Sequence, residues 1–207
     1  MSEITPEDVL NGYINGIFPM AEADGSIYWY SPNPRAIIPI DTYKPAKSLR
    51  PVLNKNHFEI RVNTDFENVM RGCSWPRAKE PGTWISEDII SCYTRLHEMG
   101  YGHSVESFRE GKLVGGLYGV SINGVFFGES MFTVESNASK VAFHYLMQLL
   151  RLNGFALLDT QFINDNVRRY GAIEIPREQY LDRLRHALRT KAVFDPHVLA
   201  DMLSPDS

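Results

Sequence analysis

KLVGGLYGVSINGVFFGESMFTVESNASKVAFHYLMQLLRLNGFALLDTQFINDN, residues 112–166, decides the fold. Leu113–Val120 and Val125–Phe132 are two β-rich runs joined at Ile122-Asn123-Gly124, and Asn-Gly is the strongest short signal for a hairpin turn. A helix follows. Ser136 or Asn137 is placed to cap it, Val141, Ala142, Tyr145, Leu146, Leu149 and Leu152 recur near helical spacing, and Gly154 supplies the stop. Phe155–Ile163 returns to strand character. A strand, a crossover helix and a second strand form a right-handed unit, so 125–132 and 155–163 are expected to lie parallel in one sheet. Each carries an acid among apolar neighbours, Glu129 in VFFGESMF and Asp159 in FALLDTQF. A buried carboxylate is costly unless it has a partner or a task. Period-two alternation groups Phe127, Glu129 and Met131 on one face, and Leu157, Asp159, Gln161 and Ile163 on another. If the acidic faces coincide, the two acids and Gln161 make a polar cluster on an apolar floor, the usual form of a small-molecule pocket. Pairing of each acid with an arginine or a backbone group is the simpler alternative.

Outward from this stretch, the 207 residues suffice for one large domain or two small ones, and 43% hydrophobic with 22% charged residues is an ordinary globular composition. No apolar run approaches the roughly 20 residues of a membrane span, and the acidic start MSEITPEDVL has no apolar signal segment, so a cytoplasmic protein without a membrane partner is expected. Cys73 and Cys92 lack metal or redox spacing and read as two reduced thiols. The net charge of −4 conceals a division. Residues 44–79 hold eight Lys/Arg against three acids, and residues 167–191 seven against three. Such basic stretches suit phosphate, although a solvated, salt-bridged surface would look the same.

In chain order, Thr5-Pro6-Glu7-Asp8 opens a short helix to Tyr13 or Ile14, ended by Gly16–Met20. Ile27–Tyr30 is a strand, Ser31-Pro32-Asn33-Pro34-Arg35 a rigid turn, and Ala36–Ile40 a second strand. Tyr43–Asn56 is basic, with Lys47, Arg50 and Lys55 at roughly helical spacing, and is the expected phosphate-facing stretch. A strand at His57–Asn63, a helix at Asp65–Arg71 and an irregular loop at Gly72–Gly82 come next. Ser86 caps a helix reaching Gly100, and His103–Phe108 is the strand before the opening stretch. Beyond it lie a helical turn at Val167–Tyr170, a strand at Gly171–Ile175 and a last helix at Glu178–Arg189. The expected division is a small N-terminal domain with basic connector over 1–57, a catalytic domain over 58–191, and a loosely held acidic tail over 192–207.

Hairpin, helix, strand and a final strand after Tyr170-Gly171 is also the order of acyltransferases that use coenzyme A. Those enzymes cradle the pyrophosphate on a glycine-rich loop at the strand–helix junction. Here residues 133–139 read TVESNAS, without glycine, so coenzyme A is not expected. No GxGxxG, Walker A, HExxH or GxSxG pattern is present, and neither a cofactor nor a metal is called for. His97 and His103, near a helix end, read as structural.

The motifs GYINGIFPM, WYSPNPR, GTWI, CYTRLHEMGYGHSVE, LVGGLYGV, FFGESMF, NASK, LLDTQF and YGAIEIPR run in this order from about residue 5 to residue 181. In them the chain resembles the leucyl/phenylalanyl-tRNA-protein transferase family. The resemblance implies an α+β protein: a C-terminal acetyltransferase-like (GNAT-like) mixed sheet with flanking helices, plus a small N-terminal α+β domain. It implies transfer of Leu or Phe, less readily Met, from aminoacyl-tRNA to proteins with N-terminal Arg or Lys, marking them for N-end-rule degradation. An aminoacyl ester is already activated and a fraction of α-amine is neutral near pH 7, so positioning should dominate catalysis. On this view Asp159 holds Gln161 and the amine in line with the ester and is a candidate to take the amine proton. Glu129 recognises the cationic acceptor. Trp84, Tyr93, Phe126, Met131 and Leu158 form the aminoacyl pocket, Tyr13 stacks near the terminal adenosine, and Lys47, Arg50 and Lys55 bind tRNA phosphates. The chain departs from longer members at Met20 and Tyr30, where tryptophan is frequent, at Thr160 in place of cysteine, at Asn166 in place of histidine, and in lacking an N-terminal extension. A coenzyme A-dependent N-acetyltransferase and a non-catalytic RNA-binding module are the rival readings.

Overall fold

The computed structural model describes residues 4–22, 24–75 and 83–199. Thr5 starts helix α1 (Pro6–Ile14) with a capping box: its hydroxyl accepts the Asp8 N–H at 3.2 Å, and the Asp8 carboxylate accepts the Thr5 N–H at 3.1 Å. The segment expected only to end that helix is itself a strand, β1 (Phe18–Ala21), paired antiparallel with β2 (Ile27–Tyr30) in a two-stranded sheet. Next comes β3 (Arg35–Ile38), every residue of it buried. A 3₁₀ turn (Lys47–Leu49) runs into α2 (Arg50–Asn54), followed by β4 (Glu59–Val62), α3 (Phe66–Ser74) and α4 (Glu87–Glu98). Ser86 caps α4 as expected, its hydroxyl accepting the Ile89 N–H. Of the expected loop at Gly72–Gly82, the first three residues extend α3 instead, and residues 76–82 lie outside the described ones.

Three long strands follow, β5 (Gly102–Arg109), β6 (Lys112–Ile122) and β7 (Val125–Thr133). The β6–β7 hairpin turns at Asn123-Gly124, with Asn123 at φ 51°, as a tight Asn-Gly turn requires. Helix α5 (Ala138–Leu152) crosses over and ends at Gly154, φ 75°, before β8 (Leu157–Gln161), which lies parallel to β7. A short α6 (Asp165–Arg169), β9 (Ile173–Ile175) and α7 (Arg177–Ala187) complete the order, with a final 3₁₀ turn at Pro196–Leu199.

The main sheet has seven strands in the order β4-β5-β6-β7-β8-β3-β9, antiparallel except for β7–β8. This is the mixed, helix-flanked α+β sheet of the expected class. β3 crosses the boundary anticipated near residue 58, because its apolar run AII is buried between β8 and β9 in the same sheet. One core, built from α1, α3, α4 and α7 with Tyr118 and Phe127, covers one face. The other gathers α5, Tyr43, Leu49, Phe126 and Leu158. The second core also takes Phe194 and Leu199, so the tail expected to be loose is docked as far as residue 199. Phe194 stacks on His103 at 4.1 Å, and this contact together with the apolar burial of Phe194 and Leu199 offsets part of the cost of ordering the segment.

Candidate active site

The parallel pair β7–β8 is in register only from Val125↔Leu157 to Phe127↔Asp159, after which the strands part. The divergence coincides with a bulge. Gly119 of β6 faces Gly128, but the next partner, Tyr118, faces Ser130, so Glu129 is the extra residue of β7. In the fork lies a pocket of about 250 Å³. Ile38, Leu117, Met131, Phe143, Leu146 and Leu158 give it an apolar side, Tyr118, Glu129, Thr160 and Gln161 a polar one, and Met20 and Trp84 also line it.

Behind the polar side Asp159 is fully buried and accepts four hydrogen bonds. Arg35 donates from Nε to Oδ1 at 3.0 Å and from Nη2 to Oδ2 at 2.6 Å, Tyr180 donates to Oδ2 at 2.7 Å, and the Gln161 N–H donates to Oδ1 at 2.8 Å. Four donors fill the acceptor capacity of a carboxylate. Asp159 therefore has no lone pair free for an incoming amine and does not line the pocket, which corrects the expectation that it meets the substrate. Its reach is through Gln161, whose backbone stands at φ 64°. A non-glycine residue in that region costs of order 1–3 kcal/mol and persists only when its surroundings hold it. Asp159 and its guanidinium partner do so. Arg35 is 1% exposed, lies 4.7 Å from the Phe18 ring and 4.5 Å from that of Tyr180, and donates to the Gly16 carbonyl. Burial works to lower its pKa, but the charge and hydrogen bonds of Asp159 outweigh this, and the net shift is upward.

Glu129 faces the pocket with its two oxygens in different states. Oε1 accepts from Tyr13 OH at 2.6 Å and from Gln161 Nε2 at 3.0 Å. Oε2 is shut from water and has no hydrogen-bond partner among the described residues. Burial pushes this carboxyl up to about 7, against the hydrogen bonds of Tyr13 and Gln161, which lower it; the nearby Asp159 charge adds to the rise. Tyr118 OH and Thr160 Oγ1, also on the pocket wall, are buried without partners as well. Three unsatisfied polar atoms around one cavity are a set of contacts left for a ligand.

Of the residues expected at the aminoacyl pocket, Trp84, Met131 and Leu158 line it and Tyr93 and Phe126 do not. Phe126 packs in the opposite core beside Phe155 and Phe194. Tyr93 is fully buried and its hydroxyl meets that of Tyr13 at 2.6 Å. Tyr13 cannot stack on a nucleoside, since it is fully buried with its ring on Phe127 at 4.3 Å. Both tyrosines instead support Glu129 from behind. Nor do Phe127, Glu129 and Met131 share a face: Phe127 is in one core and Met131 packs on the other, because the bulge shifts the alternation by one residue. Lys47, Arg50 and Lys55 are all exposed on the 3₁₀ turn, α2 and its C-terminal cap. Sequence reasoning missed Arg35, Tyr180 and Tyr118. The one available signal was a cation heading the apolar run RAII. Among the described residues no group of three or more His, Cys, Asp or Glu is arranged to hold a metal, and no helix is long and apolar enough to cross a membrane.

A model of the leucyl/phenylalanyl-tRNA protein transferase matches residues 37–185, and that of the family's N-terminal domain matches residues 2–33. Proteins named leucyl/phenylalanyl-tRNA–protein transferase are similar over nearly their whole length. The one from Chlorobaculum parvum is 52% identical over 92% of this chain and 99% of its own. That from Gloeobacter violaceus is 53% identical over 92% and 97%, and that from Paramagnetospirillum magneticum 46% over 94% of each. Among solved structures, L-PGS from Bacillus licheniformis aligns with 79% of this chain and 53% of its own at a TM-score of 0.42 and 19% identity, too loose a likeness to add to the fold described above. These matches are those of an aminoacyltransferase, with aminoacyl-tRNA and protein as its substrates. Within that class the chain belongs to the leucyl/phenylalanyl-tRNA-protein transferase family.

Proposed function

We propose that the pocket at the β7–β8 fork carries Leu or Phe, and less readily Met, from aminoacyl-tRNA to the α-amine of cytoplasmic proteins that begin with Arg or Lys, marking them for N-end-rule degradation. The observation that supports this most is the pairing of an apolar wall with three unpartnered polar atoms, Glu129 Oε2, Tyr118 OH and Thr160 Oγ1. Trp84, Met131, Leu158, Phe143 and Leu146 enclose the aminoacyl side chain. The acceptor nitrogen attacks the ester carbonyl, forming the C–N bond as the bond to the ribose oxygen breaks. Glu129 Oε2 meets the acceptor amine, takes its proton and passes it to the departing ribose oxygen, which leaves as the hydroxyl. A base near 7 is matched to an α-amine of about 7.7–8.0. Gln161 has one amide N–H on Glu129 and a second to give to the developing oxyanion. Asp159 and Arg35 act by fixing Gln161 in its strained backbone. Lys47, Arg50 and Lys55 meet tRNA phosphates, a contact without sequence preference.

The test is incubation with labelled Phe-tRNA and two peptides that differ only in an N-terminal Arg or Ala. Label on the Arg peptide alone is the expected result. Label on neither, with tRNA bound, would leave an RNA-binding module; acetyl transfer from coenzyme A without tRNA would replace the reading altogether.

A further inference from the structure

A second concavity of about 730 Å³ adjoins the aminoacyl pocket, sharing Met131 and Asn166 with it. Lys44, Lys140 and Arg169 stand around it and no acid among the described residues lines it, although the chain as a whole carries a net charge of −4. None of the ion pairs among the described residues uses these three cations; the Lys140 ammonium donates only to Asn137 Oδ1, at 2.9 Å. Trp75 forms part of the wall. Its ring meets Phe132 edge-on at 6.0 Å, yet the residue is 58% exposed, the largest exposure of any described tryptophan or tyrosine. An indole held from one side and open on the rest is a stacking platform, and unpaired cations around it call for phosphate. A peptide beginning with Arg or Lys would be repelled from the same groove.

We propose that this groove holds the nucleotide immediately 5′ of the aminoacylated adenosine, with its base on Trp75 and its phosphates among Lys44, Lys140 and Arg169. The proposal rests on the reading of the adjoining pocket as the aminoacyl-adenosine site. It assigns the groove a single-stranded nucleotide, bound through stacking and charge and so with little dependence on base identity.

Two stable amide analogues separate the sites: phenylalanyl-amino-adenosine, and the same molecule carrying a 5′-linked cytidylate. Binding to the full chain is measured by calorimetry. The cytidylate is expected to tighten binding by roughly tenfold or more, the scale of one stacked base with its phosphate. Trp75→Ala should remove most of that gain, as should Lys140→Ala combined with Arg169→Ala, while Trp75→Phe retains it. An equal affinity of the wild-type chain for both analogues overturns the groove proposal and leaves the pocket reading standing. A gain that survives in both variants also overturns it, as does a loss confined to affinity for the acceptor peptide, which would make the groove a peptide channel. Failure of the nucleoside analogue to bind at all overturns the pocket reading and the groove proposal together, and transfer from labelled Phe-tRNA reports on that reading separately.

Discussion

Glu129 is an ionisable group kept in surroundings that favour its neutral form, and this makes stability depend on pH. Its carboxyl is raised from 4.5 to about 7 on folding. The folded chain therefore holds a proton that the unfolded chain gives up, so the group's contribution is fully present below about pH 4.5 and is lost as pH rises through about 7. Glu129→Gln keeps an oxygen for Tyr13 and Gln161 and removes the titration. At pH 8 the variant should melt about 2–4 °C above wild type, as about 1 kcal/mol does in a chain of this size, and the two should converge near pH 4. Transfer should fall on the order of a hundredfold, and its rise with pH should move from about 7 to the titration of the acceptor amine at about 7.7–8.0. A lower melting temperature for the variant at pH 8 would sink the account. Asp159 is saturated by its hydrogen-bond partners, so two acids in similar sequence settings differ in surroundings: one lines the pocket with an unpartnered oxygen, one is closed around a guanidinium.

The element that makes the difference is a bulge. Gly119 lies opposite Gly128 where the ladder slips, and a Cβ on Gly119 would stand 2.3 Å from the Phe127 carbonyl oxygen and 2.5 Å from the Phe126 ring. Backbone on one side and a packed ring on the other leave no room for adjustment. Gly119→Ala should cost about 1–3 kcal/mol in denaturant unfolding and, by displacing Glu129, lower transfer more than the stability loss explains. Equal folding and normal turnover would mean that the bulge does not set the site. The hairpin at Asn123-Gly124, the helix stopped at Gly154 and the parallel β7–β8 pair were legible because each is written in a few neighbouring residues. The bulge was not, since nothing in VFFGESMF distinguishes an inserted residue from a regular one. Counting by twos across it put Met131 on the wrong face, and Phe126 was assigned to the pocket for its chemistry although alternation set it apart from Phe127 and Glu129.

Across the whole molecule, what escaped the sequence depends on distance along the chain. Glu129, Gln161, Trp84, Met131 and Leu158 were found by type and motif, but no local pattern announces that Asp159 belongs to Arg35, 124 residues away. The same holds for the tail, where an acidic composition suggested a loose end and two apolar residues decided otherwise. Phe194→Ala removes a ring packed on His103, Phe126 and Phe155 and should lower the melting temperature by roughly 6–12 °C, the equivalent of about 3 kcal/mol. A shift below about 2 °C would show that the segment is only resting on the core.

The insertion of β3 between β8 and β9 also has a meaning in time. Chains are made from the N-terminus, and the strand bearing Arg35 emerges from the ribosome long before either neighbour exists. Until the chain has grown past Asp159 the guanidinium has no carboxylate, and until it has passed Tyr180 that carboxylate has no phenol. Closing such distant pairings is the slow part of folding. The Arg35–Asp159–Tyr180 cluster thus closes late: a ribosome in mid-synthesis carries a chain whose guanidinium has yet to meet its partners.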